Sequence, residues 1–217
     1  MALMTFPLSA ATFIDRLPIA RMTFDIPEQM ELSQDGGGQL YGAELAPRVW
    51  QGEVRLDRLL PEEEADAMAL IDLMRGGRRA LFYDRRRPWP QADRGGVKLG
   101  SATPVLSQLA SNARQIAVSG LPAGYVLRRG DYIGWDYLGR RAVHKVMDVT
   151  VAASGAGATG LFEVIPAIRP GAAAGAAVRL TRVSCTGMIV PKSTSPGSTA
   201  ARLTDGVAFR WQQTLEG

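Results

Sequence analysis

Four groups of residues in this 217-residue chain have types and spacings that bear on chemistry. Glu62, Glu63, Glu64 and Asp66 crowd carboxylates into five positions, the raw material of a metal site or an acid/base pair. Gly155-Ala156-Gly157-Ala158-Thr159-Gly160 spells G-x-G-x-x-G, a spacing that lets backbone N–H groups approach a pyrophosphate. His144 and Cys185, the one histidine and the one cysteine, are of general-base and nucleophile type. Arg85, Arg86 and Arg87, followed by Trp89 and flanked by Arg78, Arg79 and Arg94, form the strongest basic cluster. Such a cluster suits a phosphate backbone, an acidic protein surface or plain solvation, and all three readings stay open.

Most of these groups lack the context that their chemistry needs. Dinucleotide binding requires a helix opening at the glycine loop and an acidic residue about 20 positions on. Here LFEVIPAI follows, which reads as a strand, and the next acid after Glu163 is Asp205. The glycines therefore read as a flexible β-hairpin tip. No G-x-S-x-G elbow accompanies His144, which lies in an alternating run facing solvent or a neighbouring strand. Cys185, in SCTGMIV, reads as a small buried apolar residue. Asp131 and Asp136 pair as carboxylates or simply flank a turn and strand, GDYIGWD. One cysteine and one histidine exclude an internal disulfide and a Cys/His zinc site. We expect no catalytic residue, cofactor or metal, and no enzyme. The acidic run reads as a solvated helix start.

The elements that hold these residues read as mainly β. With 24 glycines and 13 prolines between short apolar runs, turns are frequent and helices few. Strands are expected at Ala20–Ile26, Arg48–Leu56, Ala80–Tyr83, Gln115–Val118, Tyr132–Trp135, Ala142–Val151, Leu161–Ile165, Val178–Val190 and Val207–Gln213. Met1–Phe13 is apolar but has no early Lys or Arg and is broken by Pro7, so we read a buried first strand of an intracellular product rather than a secretion signal. One helix is expected near 61–75. Pro61 opens it, Ala67, Leu70, Ile71 and Met74 form one apolar stripe, and Gly76-Gly77 stops it. Trp50 and Trp211 read as core anchors.

Composition shifts between Asp84 and Gly100 and again between Pro166 and Ala177. These breaks suggest a discontinuous β-sandwich domain, residues 1–90 and 177–217, interrupted by a small β-barrel, residues 91–176. Pro191–Ala201 reads as a mobile Ser/Thr/Pro/Gly loop. At 46% hydrophobic and 21% charged the composition is that of a globular protein, and no apolar run is long enough to span a bilayer. The net charge of +4 permits nucleic acid or an acidic partner without requiring either.

FPLSAATFIDRLPIARMTFDIPEQ, the strand APRVWQGEVRLDRL leading into the acidic helix, and ALFYDRRRPWPQAD resemble the start of distal tail proteins of long-tailed, siphovirus-type bacteriophages and related gene-transfer particles. The segment from LPAGYVLRRGDYIGWDY to FEVIPAIRP is similar to a recurrent tail pattern of a Gly-Asp-Tyr turn, a strand pair, a Gly/Ala-rich hairpin and a Pro-Arg exit. Thr186–Leu215 fits the closing strands of the outer domain. The resemblance implies a belt domain that assembles into a ring, commonly a homo-hexamer, with the barrel facing outward. Such a ring joins the tail tube protein to the tail hub protein and to fibre or tape-measure proteins, at the virion tail tip. The particle is made in the host cytoplasm, DNA is transient cargo in the lumen, and no membrane anchor is needed. Within it, Glu62, Glu63 and Glu64 would meet Arg78, Arg79, Arg85, Arg86, Arg87 and Trp89 across subunits. Two other readings accompany this one: another tail-tip or baseplate component, or a carbohydrate-binding β module in which Tyr132, Trp135 and Tyr137 stack on sugar rings.

Overall fold

The computed structural model describes residues 4–215. The chain is mainly β, 41% strand and 9% helical. In chain order the elements are β1 (Ile19–Met22), β2 (Met30–Gln34), β3 (Leu40–Glu44), β4 (Gln51–Leu56), α1 (Pro61–Met74) and β5 (Ala80–Tyr83). Then come β6 (Val105–Leu109), β7 (Gln115–Ser119), β8 (Val126–Arg128), β9 (Tyr132–Tyr137), β10 (Arg140–Val146), β11 (Thr150–Ala152) and β12 (Phe162–Ile165). The chain closes with β13 (Val178–Arg179), β14 (Ser184–Ile189), β15 (Ser195–Ala200) and β16 (Leu203–Gln213).

Two sheets carry the fold. The first runs β1-β4-β16-β14-β5, with β15 also on β16, and the second runs β13-β9-β10-β12-β7-β6. A bridge between Val105 and Ala177 brings the ends of the second sheet together, so that it nearly closes into a small barrel. The first sheet alternates along β4 and β16: Val54, Leu56, Val207, Phe209 and Trp211 are buried, while Glu53, Arg55 and Arg210 are exposed. Helix α1 lays Ala67, Leu70, Ile71 and Met74 into the same core, and it stops where Gly76 turns to φ +81°. Phe82 and Trp211 stack there, 4.5 Å between centroids. The second core gathers Leu106, Ile116, Val118, Trp135, Phe162 and Val164 inside the barrel-like sheet.

Several expectations change. Met1–Leu3 lie outside the described residues, and the rest of the N-terminal segment is no strand. Ser9 caps a 3-10 turn at Ala10–Thr12, and only Leu8 bridges β5. The Pro191–Ala201 stretch is not a loop throughout: Ser195–Ala200 is the strand β15, zipped antiparallel to β16. The glycine run is not a hairpin tip, because β11 pairs with β8 and β12 with β7 and β10. It is a loop between sheets, pinned by the Leu121 N–H to the Gly157 carbonyl (3.0 Å) and the Thr159 N–H to the Val118 carbonyl (2.8 Å). A Cβ on Gly157 would sit 2.0 Å from the Leu121 carbonyl oxygen. Val178 and Leu180 belong to the second core and Val183 to the first, so the chain crosses back after Leu180 rather than at 177.

Candidate interaction surface

The arginine run follows β5, and Asp84 organises it. Burial works to raise the Asp84 carboxyl, yet the Arg86 side chain and N–H and the Arg87 guanidinium outweigh it and hold it below the usual carboxylate range. Both guanidinium Nε atoms donate to it, Arg86 at 3.2 Å and Arg87 at 3.1 Å. Arg87 also donates to the Tyr132 hydroxyl (2.7 Å), which donates in turn to Asp84 (3.2 Å). Arg85 donates to the Leu17 carbonyl (3.2 Å). Arg86 and Arg87 are thus held by Asp84, which unpaired would be costly to bury, and Arg85 by the Leu17 carbonyl, while Arg85 and Arg86 keep exposed area that a partner could still meet.

The same holds for most of the other proposed contacts. Glu63 accepts the Leu60 N–H (2.9 Å) and caps α1, and Glu64 accepts the Thr204 hydroxyl (2.6 Å) and ties α1 to β16. Arg78 lies over the Phe6 ring, 5.0 Å from its centroid, and donates to the Leu73 carbonyl. The Arg79 carbonyl accepts the Leu8 N–H (2.9 Å). Glu62 stays exposed, as does Trp89.

The aromatic set expected to meet sugar is enclosed. Tyr132, Trp135 and Tyr137 are all buried, so no ring face is open for stacking, and that expectation is corrected: Trp135 and Tyr137 lie in the second core and Tyr132 packs into the first, on Phe24 and Trp50. His144 does not face solvent either. Its ring stacks on Trp135 at 4.4 Å, and its Nδ1 donates to the Pro166 carbonyl (2.8 Å). Burial pushes its pKa down to about 4. The space beside it is about 10 Å³, too small for a substrate. Cys185 is buried and its thiol pushed up by burial. Asp131 and Asp136 do not pair: Asp131 accepts the Gln91 and Arg128 N–H groups, and Asp136 binds Arg179. Among the described residues no group of three His, Cys, Asp or Glu side chains could hold a metal ion.

The surface feature that the sequence reading missed is the β2–β3 hairpin. All ten of its strand residues are exposed. Its turn is built by Asp35, whose carboxylate accepts the Gly37 and Gln39 N–H groups, both at 2.9 Å. The register pairs Met30 with Glu44, Leu32 with Gly42 and Gln34 with Leu40, so Met30, Leu32 and Leu40 share one face. Met30 and Leu32 both reach over Gly42. Leu32 and Leu40 are each 66% exposed. Glu31, Ser33 and Tyr41 take the other face. The signal was present in the sequence: Met-x-Leu, then Asp-Gly-Gly-Gly, then Leu-Tyr.

Trp89 is 42% exposed, while Trp50, Trp135 and Trp211 are buried. Its Cδ1 lies 3.8 Å from where a Cβ on Gly96 would stand, next to the 80% exposed Val97. Arg94 and Lys98 are exposed at the same turn, and the Arg182 N–H donates to the Pro88 carbonyl (2.6 Å). Large apolar groups rimmed by cations are thus found at one place, and an amphipathic hairpin at another. Compared with known proteins, the chain matches no protein-family model and no curated protein.

Proposed function

We propose that this chain is a structural, ring-forming protein of a phage-like tail: the distal adaptor, a homo-hexamer that joins the tail tube to the hub and its fibres. What supports the reading is the β2–β3 hairpin, whose apolar face is left exposed by the described residues of its own chain. An isolated two-stranded hairpin is marginal in water, and exposed apolar surface of this kind belongs to assembly proteins rather than to solitary domains. The edge strands β1 and β15 add sheet margins that neighbours can cover. A ring of identical copies uses such head-to-tail surfaces and closes by rotation. The +4 net charge suits a lumen through which DNA passes without tight binding. The reading as a sugar-binding module loses its motive with the burial of Tyr132, Trp135 and Tyr137.

Light scattering followed by negative-stain imaging, across concentration and salt and with tail tube protein added, tests this. A closed ring with a central channel is the expected result. A chain that stays monomeric even beside the tube protein overturns it, and a trimer would favour a hub component.

A further inference from the structure

We propose that the Met30–Leu45 arm is a docking element and that its acceptor is the Trp89–Val97 patch of a second copy of this chain. The inference deepens the assembly reading above and rests on it in one respect, that copies of the chain meet one another.

Charge selects the kind of acceptor. The sixteen arm residues hold Glu31, Asp35 and Glu44 and no Lys or Arg, so the chain's net +4 divides into −3 on the arm and +7 elsewhere. An acidic arm is repelled by anionic lipid and by nucleic acid. It is attracted to a basic protein surface, and this chain presents one to every other copy of itself. Shape and polarity select the place. The arm offers Met30, Leu32 and Leu40 on one face with Glu44 at the foot of that face, while Glu31 lies on the opposite face and Asp35 at the turn. Trp89 and Val97 offer exposed apolar area with Arg94, Lys98 and the largely exposed Arg182 at its border, where Arg182 also pairs with Asp15. Trp and Arg are the residues most enriched where interfaces concentrate their binding energy.

The contact is between copies because the two surfaces are anchored apart. The foot of the arm, Glu44 to Arg48, lines a cleft of about 300 Å³ with Arg114 and the Glu163–Arg169 segment, on the β7–β12 side of the second sheet. The Trp89 turn is held at the start of β9, where the Gln91 N–H donates to Asp131 and the Gln91 side chain to the Arg129 carbonyl. Strand β10 lies between β9 and β12. One copy therefore presents donor and acceptor on different flanks, the arrangement that a head-to-tail contact requires.

The experiment mixes two full-length, differently tagged variants, Leu32→Cys and Val97→Cys, under mild oxidation. Cys185 is buried and stays silent. In parallel, iodide quenching of wild-type fluorescence reads Trp89, since the other three tryptophans are buried. The expected result is a cross-link joining one chain of each kind, with iodide access to Trp89 falling several-fold at concentrations where the chain associates. Where sulfur geometry prevents the bond, the quenching decides. A closed ring whose Trp89 stays open to iodide overturns the docking and leaves the ring reading standing. Shielded Trp89 in open strings or pairs supports the docking and overturns the ring. A monomer with open Trp89 at every concentration overturns both.

Discussion

His144 is held neutral by its surroundings, and this has a sign that can be measured. Its folded pKa lies at about 4 against an ordinary 6.5, so between those values the unfolded chain binds the proton and the folded one does not. The stability from this site is complete above pH 6.5 and is lost as pH falls toward 4, a total of about 3 kcal/mol at about 1.4 kcal/mol per unit. We expect the midpoint of thermal unfolding to fall steeply across that window in the wild type. His144→Phe, which keeps a ring against Trp135, should flatten the slope, and an unchanged slope in that variant would assign it elsewhere. Asp84 acts at lower pH. Its lowered carboxyl stabilises the fold above the ordinary carboxylate range, and that stabilisation is lost as pH drops through the folded value. Asp84→Ala leaves Arg87 and Tyr132 facing a void, and urea titration should show a loss of about 1–3 kcal/mol. Sequence spacing exposed the arginine run but not its internal partner. Asp84 looked like one more charge in a polar stretch, and only the return of Tyr132 from 48 residues downstream makes it an anchor.

Most strands that bury a face were legible, though the short β6 and β8 were not read despite burying Leu106 and Leu127, and strands that stay exposed were missed. Ala80–Tyr83 and the helix near 61–75 stand where expected, because both lay an apolar stripe into the first core. Strand β15 reads Ser-Pro-Gly-Ser-Thr-Ala and is almost wholly exposed, so nothing in its composition reports its backbone pairing with β16. The β2–β3 arm was missed for a related reason: its apolar residues face outward, where core patterning gives no cue. The arm's independence from the fold is testable. The double substitution Leu32→Asp with Leu40→Asp should move the unfolding free energy of the dilute monomer by no more than about 0.5 kcal/mol, as at other exposed sites. A large loss in a chemical-denaturation curve would mean that the arm packs on its own chain. The glycine loop should behave in the opposite way. Gly157 has φ +74° and a carbonyl oxygen where a Cβ would be, so Gly157→Ala should cost about 1–3 kcal/mol or more by the same assay.

At the scale of the molecule, the two cores are joined by a few polar links. Trp50 sits in the first core and its indole N–H donates to the Val143 carbonyl of β10 (2.8 Å), while Arg141 of β10 donates to Ser184 of β14 (2.9 Å). Tyr132 and Val143, both from the second sheet, pack into the first core. Trp50→Phe keeps most of the buried ring but orphans the carbonyl, and equilibrium unfolding should register about 1–3 kcal/mol of destabilisation. The alternation of two sheets along the chain was readable from composition, but the stitching between them was not, because each stitch joins residues far apart in sequence.

The chain leaves the first sheet at Tyr83 and returns at Ser184, and those two residues are direct partners on neighbouring strands. Everything between them is, to that sheet, one very long hairpin loop. The entropy of closing such a loop grows only with the logarithm of its length, about 0.6 kcal/mol for each doubling. The sheet is therefore a socket almost indifferent to the size of what is plugged into it. An evolving lineage can exchange the insert for a longer or shorter one, as a handle takes a new blade, on the condition that the replacement carries its own plug for the space that Tyr132 and Val143 fill.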